Sequence, residues 1–517
     1  MDSSSGDLAP AARSGPEAAA APPRGRQPPR SAAPARPEGV GGQPPGGTVG
    51  LTGALGVTIS NMAPANGLFL TAPAVVAAMG TQAPWAFLLA TIGLLACAVA
   101  VGQYARRIVS SGSLVAYTYH AYRTISPRLA TGLASGLFYV MLLAGPLTLA
   151  AVTVFSGQWV ASWLHLARPW PVLLSLSVLA FAGAVALRGI VTSSRVATAL
   201  AAAQVLMLLG FSVLLLVRAG ADAAAPLHPT GGHPGGPAGL SGLTFPLAVA
   251  GMIGWDNSAG MAAELRRPRR VIPATVIGAL LTVGLLYTLS TWAGLAGYAH
   301  WRGTAPGADR FGALDNTAPF LELARHYAPL AEPVLAAVGA ISSIACLVAA
   351  MTALPRVTLT GARAGMLPRA LGHASAKHGA PVGALTLWLT LIGACTALPL
   401  LLGAAPTTVS AWEAGTGTVP LLLNLLLALV GLPLYLRHTE PGGLRTLRHL
   451  LVPLIGIAVI GWGVYGNIQP DQPDPGNTYW ISTAVIAAIA AAGAARFARS
   501  ARPHLTALGI PSEPDRP

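Results

Sequence analysis

Residues 245–273 constrain this chain more than any other stretch. Phe245 to Ala250 is apolar enough for hydrocarbon, and then Gly251, Gly254, Trp255 and Asp256 interrupt the run. Glu264 follows, then Arg266-Arg267-Pro268-Arg269-Arg270 and Ile272-Pro273. In a bilayer every unpaired backbone group is costly, so irregular backbone survives there only where it lines a cavity. A carboxylate at mid-depth is expensive for the same reason, which makes Asp256 a functional-site candidate. A glycine-weakened helix with a buried acid and a basic stop suits a protein that passes a solute through the membrane.

The chain is 53% hydrophobic and 9% charged, with a mean hydropathy of +0.60. A soluble domain carries roughly 25% charged residues, so lipid is the main solvent here. Twelve spans are expected, near 51–79, 84–105, 129–164, 169–187, 196–217, 243–264, 271–298, 331–355, 382–402, 408–435, 450–466 and 479–496. Most hold the ~20 apolar residues that cross the hydrocarbon core. The 129–164 span is longer and must tilt or protrude. With the N-terminus inside, the Lys and Arg residues fall on the cytoplasmic side, except Arg168, Arg218, Arg302, Arg310 and Arg325. That asymmetry is the positive-inside bias of a multispanning protein. It accounts for the +14 net charge without nucleic acid, which would need a basic face on a folded soluble domain.

Residues 1–50 are rich in Pro, Ala, Gly and Arg and are expected to be a disordered cytoplasmic tail. They contain no short apolar core of a secretory signal, so the first span is expected to stay in the mature protein. Cys97, Cys346 and Cys395 all lie inside spans and read as small buried apolar residues, with no disulfide or metal spacing. A phosphate-binding loop of the Gly-x4-Gly-Lys-Ser/Thr type is missing, which disfavours a primary pump. Intramembrane acids are too sparse for a membrane enzyme.

A second interruption occurs five spans before the first one described. Span 1 reads Ser60-Asn61-Met62-Ala63-Pro64-Ala65-Asn66-Gly67. Pro64 removes a backbone donor and blocks the carbonyl one turn earlier, while Asn66-Gly67 tolerates unusual dihedrals. Interrupted helices at matching places in two halves point to a transporter binding site. An odd number of crossings per half makes the halves inverted repeats. A half-helix starting near Asn66 presents N–H groups to a carboxylate. One ending between Gly251 and Gly254 presents carbonyls to an ammonium. The plainer alternative is a kink at Pro64 and close helix packing at the glycines.

Two motifs resemble the amino acid–polyamine–organocation (APC) superfamily of secondary transporters. One is Gly254-Trp255-Asp256 through Glu264 to Arg267-Pro268-Arg269-Arg270-Val271-Ile272-Pro273. The other is Arg356, Ala362-Arg363-Ala364-Gly365-Met366-Leu367-Pro368 and His378-Gly379-Ala380-Pro381. With the span layout, the resemblance covers roughly residues 50–500.

The resemblance implies an all-α membrane protein of twelve transmembrane helices, a five-plus-five inverted repeat with helices 1 and 6 broken (the LeuT-like arrangement). The first repeat would cover 51–217, an extracellular loop 218–242, the second repeat 243–435, peripheral helices 436–497 and a cytoplasmic tail 498–517. It implies alternating access for an amino acid or small amine, with both termini cytoplasmic. Residues expected to bind substrate are Ala63, Pro64, Ala65, Asn66, Gly67, Tyr139, Ala250, Met252, Ile253, Gly254 and Trp255. Ala65 departs from the family's Gly-Ser-Gly break, where it weakens the carboxylate cradle. Gln204 stands where some members carry a lysine.

Asp256 is expected either to gate and carry a proton or to cap the second half of the broken helix. Arg269 and Arg270 belong to an Arg-rich loop that reads first as a topology determinant, with pairing to Glu264 at the inner gate as an additional role. Ser342 and Ser343 offer hydroxyl oxygens to a co-transported Na⁺, or else simply bond between helices. Glu413 is expected at the outer interface beside Trp412, or else to pair or titrate, and Trp85, Trp163, Trp301 and Trp480 as interfacial anchors. Residues 317–327 read as a short outer helix that could act as a lid. The expected partners are a small amino acid or amine and membrane lipid; no cofactor or metal is expected beyond a co-transported H⁺ or Na⁺. An exchanger of related amino compounds and a non-transporting nutrient sensor on the same fold remain as alternatives.

Overall fold

The computed structural model describes residues 47–227, 244–313, 316, 318–375, 379–440, 446–469 and 474–499. The expected disordered tail up to residue 46, the end of the C-terminal tail from residue 500 and most of the 218–242 loop lie outside them. All regular elements among the described residues are helical, apart from one isolated bridge, Val49 to Leu265. Helix is the solution that hydrocarbon favours, because every backbone group then finds its partner within the segment.

Among the described residues, sixteen α-helices run in chain order. The first half holds α1 (Leu51–Asn61), α2 (Pro64–Met79), α3 (Ala83–Arg107), α4 (Ser113–Tyr122), α5 (Pro127–Trp163), α6 (Trp170–Leu187) and α7 (Ile190–Ala219). Then come α8 (Thr244–Ala250), α9 (Pro268–Arg302), α10 (Thr304–Gly312), α11 (Pro319–Tyr327) and α12 (Glu332–Arg363). The last four are α13 (Val382–Leu401), α14 (Pro406–Thr439), α15 (Val452–Asn467) and α16 (Tyr479–Arg499). Helix starts follow local chemistry: Ser126 caps α5 by accepting from the Leu129 N–H, and Pro127 takes the position where its missing donor costs nothing.

Among the described residues, ten stretches are long and apolar enough to cross a membrane. Two features explain the difference from the expected segments. The first two expected spans run together as Leu51–Arg107, because only the tight turn Gly80–Gln82 separates α2 from α3. The sixth expected span does not count, because α8 stops after 7 residues. At 37 residues, α5 is about 55 Å long at 1.5 Å per residue, well beyond the ~30 Å hydrocarbon core.

The stretch 329–363 is the most enclosed, with 72% of its apolar window buried, against 28% for 476–499. Helix α12 is therefore central and α16 faces outward. The closest packing joins α5 to α14 and α3 to α9. Trp255, Trp388, Tyr104, Tyr117 and Tyr287 are fully buried among these helices. Trp85, Trp163 and Trp480 are exposed, as lipid-interface residues should be. Trp301 instead stacks on His326 at 4.2 Å and carries the Arg302 guanidinium 4.1 Å over its ring.

The expected outer helix is α11, although Thr317 lies outside the described residues. Phe320 of α11 packs on Phe69 of α2 and on Phe311 of α10. Glu322 accepts from Tyr298, Asn316 and Arg310, so α9, α10 and α11 share one carboxylate.

Candidate functional site

The two breaks form as their sequences dictate, and they face each other. Helix α1 ends at Asn61, and the Met62 N–H closes back on the Thr58 and Ile59 carbonyls. Ala63 then adopts the left-handed conformation, φ 47 and ψ 61, before Pro64 opens α2. A non-glycine residue there costs about 1–2 kcal/mol. Across from it, α8 stops at Ala250, Gly254 turns the chain with φ +102, and a 3₁₀ segment runs from Asn257 to Glu264. The Asn61 side-chain amide donates to the Gly254 carbonyl at 3.1 Å. Tyr287 of α9 donates to the Gly251 carbonyl at 3.3 Å. The Cys346 thiol of α12 donates to the Asn61 carbonyl at 3.3 Å.

A cavity of about 330 Å³ opens between the breaks. Ala63, Asn66, Gly67, Ala250, Ile253, Gly254, Trp255 and Asp256 line it. Asp256 holds the position ahead of the 3₁₀ segment, but its side chain makes no capping hydrogen bond there. Burial pushes the Tyr117 phenol of α4 upward, and the nearby Asp256 carboxylate adds to the rise.

Several expected residues stand elsewhere. Pro64, Ala65 and Met252 are buried but do not reach the cavity wall. The Met252 sulfur instead accepts from the Thr91 hydroxyl at 3.7 Å. Tyr139 also stands away from the cavity wall: its hydroxyl donates to the Met366 carbonyl at 2.7 Å and its ring covers Gly493. Leu137, Met141, Gly145 and Thr148 of α5 line the cavity. At 3.6 residues per turn, a position two residues from Leu137 points roughly 200° away.

The inner ion pair is made by another arginine. Glu264 meets Arg356 of α12, with Nε 2.6 Å from Oε1, rather than Arg269 or Arg270. Arg267 takes a left-handed turn (φ 55), and Arg269 and Arg270 fall in the first turn of α9 that follows. Arg356 also donates to its own helix at Thr352. Arg356 had entered only as part of a motif, and its charge is the signal that would have named it.

Ser342 and Ser343 are fully buried and engaged with α2. The Ser342 hydroxyl oxygen accepts from the Ala65 and Asn66 N–H groups at 3.2 and 3.3 Å. Ser343 accepts from the Asn66 side-chain amide at 2.7 Å. Glu413 is a correction: it is 1% exposed, with Oε2 unpartnered, because α14 buries that face in the bundle. Gln204 is fully buried with both amide atoms unpartnered.

Cavity residues not singled out beforehand include Asn61, Ser113, Thr148, Ser410, Thr418 and Asn424. Asn61, a polar residue just before the proline break, was the one most readable from local chemistry.

No curated protein matches the chain. The amino acid permease family matches residues 49–490, which is most of the chain and contains both breaks and the cavity. The chain therefore belongs to the amino acid permease family of the APC superfamily.

Proposed function

We propose that the protein is a secondary transporter that carries an amino acid or related small amine across the cytoplasmic membrane by alternating access. Both termini would be cytoplasmic, and the twelve expected spans would form a five-plus-five inverted repeat with peripheral helices. The observation that carries this reading is the apposition of the two breaks, with Asn61 donating to the Gly254 carbonyl beside a cavity. Broken helices meeting at a cavity are how membrane carriers present backbone dipoles to a solute. A packed soluble-type core has no use for them, since each break leaves backbone groups to be satisfied by side chains.

In this reading Asp256 is the gating or proton-linked carboxylate. Ser342 and Ser343 are the alternative route to coupling, through a cation. The Glu264–Arg356 pair would close the inner end, and α10 and α11 with Phe320 would cover the outer end. Occupancy of the cavity would lower the barrier between the two facing states.

The test is uptake of labelled amino acids and amines into proteoliposomes under imposed proton, sodium or counter-substrate gradients. Saturable uptake driven by one gradient is the expected result. Stimulation by internal substrate alone would identify an exchanger. Absence of uptake under every gradient, with folded protein, would reject transport and favour a sensor role.

A further inference from the structure

The polar groups of the cavity select one half of a zwitterion. Among the described residues, Asp256 is the single charged side chain on the wall, with no Lys, Arg or His beside it. No basic side chain lies within ion-pair distance of Asp256 among the described residues. Leu70, Leu137, Met141, Val152, Phe155 and Leu422 are among the side chains that make much of the rest apolar.

Several of the donors near the breaks are already engaged within the protein. The N–H groups of Ala65 and Asn66, at the start of α2, both point to the Ser342 hydroxyl. The Asn66 side-chain amide donates to Ser343. Asn61, Asn257 and Asn424 donate to the carbonyls of Gly254, Ala349 and Leu137. The hydroxyls of Thr148 and Ser410 donate to Ala144 and Ala151. Ser113, Thr418 and Trp255 complete the polar lining and bring neutral groups only.

The geometry points to a monoamine with an apolar body as the preferred substrate, in place of the corresponding zwitterionic amino acid. The inference rests on the transport reading above. An ammonium finds a carboxylate at Asp256 on the cavity wall. An added carboxylate finds no cation, meets α2 N–H groups already engaged by Ser342, and shares the cavity with a like charge. Specificity of this kind comes from rejection as much as from attraction.

The test uses the full-length protein and matched pairs that differ only in the carboxylate: isoamylamine against leucine, and phenethylamine against phenylalanine. Binding is measured by ligand-induced thermal stabilisation, and transport by uptake into proteoliposomes. Each amine is expected to bind at least ten-fold tighter than its amino acid, and Asp256→Asn is expected to abolish that advantage. Ser342→Ala frees the N–H of Asn66, a residue that lines the cavity, so it should strengthen amino acid binding and narrow the gap. Equal or tighter binding of the amino acids by the unmodified protein overturns the amine preference and leaves the transport reading standing. Failure of every compound to bind or enter, with folded protein, removes both. An amine preference that neither substitution alters also overturns the assignment, since the site would then lie elsewhere.

Discussion

Arg356, in the central helix α12, places its Nε 2.6 Å from Oε1 of Glu264, at the end of the broken segment. The arginine side chain is 6% exposed and the glutamate 20%, so the pair is largely shielded from water. Removing one partner leaves a poorly solvated charge, which typically costs 3–5 kcal/mol when burial is complete. With Glu264 one-fifth exposed, Arg356→Ala is expected to cost about 3 kcal/mol. Replacing both with apolar residues of similar size, as in Glu264→Leu with Arg356→Met, should recover most of that loss. Thermal melting of the purified variants checks this; a double variant no better than Arg356→Ala alone would show that the pair does not act as a unit.

Gly67 allows α2 to approach α9. A Cβ there would sit 1.8 Å from the Tyr287 hydroxyl and 2.7 Å from its ring carbon. Gly67→Ala is therefore expected to destabilise the protein by about 1–3 kcal/mol, the usual cost of overpacking. It should also break the Tyr287 bond to the Gly251 carbonyl. Adding Tyr287→Phe removes the nearest clashing atom and should restore part of the stability. Melting temperatures and substrate affinity of the single and double variants measure the effect.

Asp256 separates two roles cleanly. If it carries the coupled proton, Asp256→Asn should flatten the dependence of uptake on external pH while the protein still reaches the membrane. Its missing capping bond makes a purely helix-capping role a poor explanation for any loss. The readout is initial uptake rate across a pH series at fixed membrane potential. A profile of unchanged shape would exclude proton coupling through this group.

Ser342 and Ser343 carry the corresponding prediction for sodium. The Ser342 oxygen accepts two N–H groups in this conformation, so a cation would have to replace them. If these hydroxyls form a sodium site, replacing Na⁺ with a larger inert cation at fixed potential should lower uptake several-fold. Uptake that ignores sodium would leave the serines as the cap of α2, and Ser342→Ala would then cost about 1 kcal/mol of stability.

Glu322 binds the outer cover together. It accepts from the Arg310 guanidinium at 3.1 Å, from Asn316 at 2.7 Å and from the Tyr298 hydroxyl. Glu322→Ala is expected to cost about 3 kcal/mol, in line with lost hydrogen bonds to a charged group. Hydrogen exchange should rise in α10 and α11 and stay unchanged in the enclosed α12. Uniform exchange throughout would show that the cover does not open independently.

Much of this architecture was legible from residue chemistry. Proline lacks an N–H wherever it stands, so Pro64 marked a weak point in its helix, as Gly251 with Gly254 did in theirs, although Pro146 and Pro355 lie inside unbroken helices. The family motif placed Glu264 and Arg356 in view without joining them. Tyr139 shows where such reading fails, because a position within a matching helix does not specify its angular face. Leu137 and Met141 face the cavity, and Tyr139 between them turns to Met366. Glu413 failed for a related reason: its neighbour Trp412 is exposed, yet one residue further round the helix the bundle closes over the carboxylate.

By itself the sequence determined that the chain is helical, that lipid is its solvent and that two of its helices break. Those properties follow from side-chain hydropathy and from the backbone limits of proline and glycine, which act over a few neighbouring residues. Only the tertiary structure decided which groups satisfy the broken ends. Ser342 caps Ala65 from 277 positions away, and Asn61 reaches Gly254 across 193. Those pairings depend on how α1, α2, α8 and α12 cross in space, and local chemistry carries no term for that.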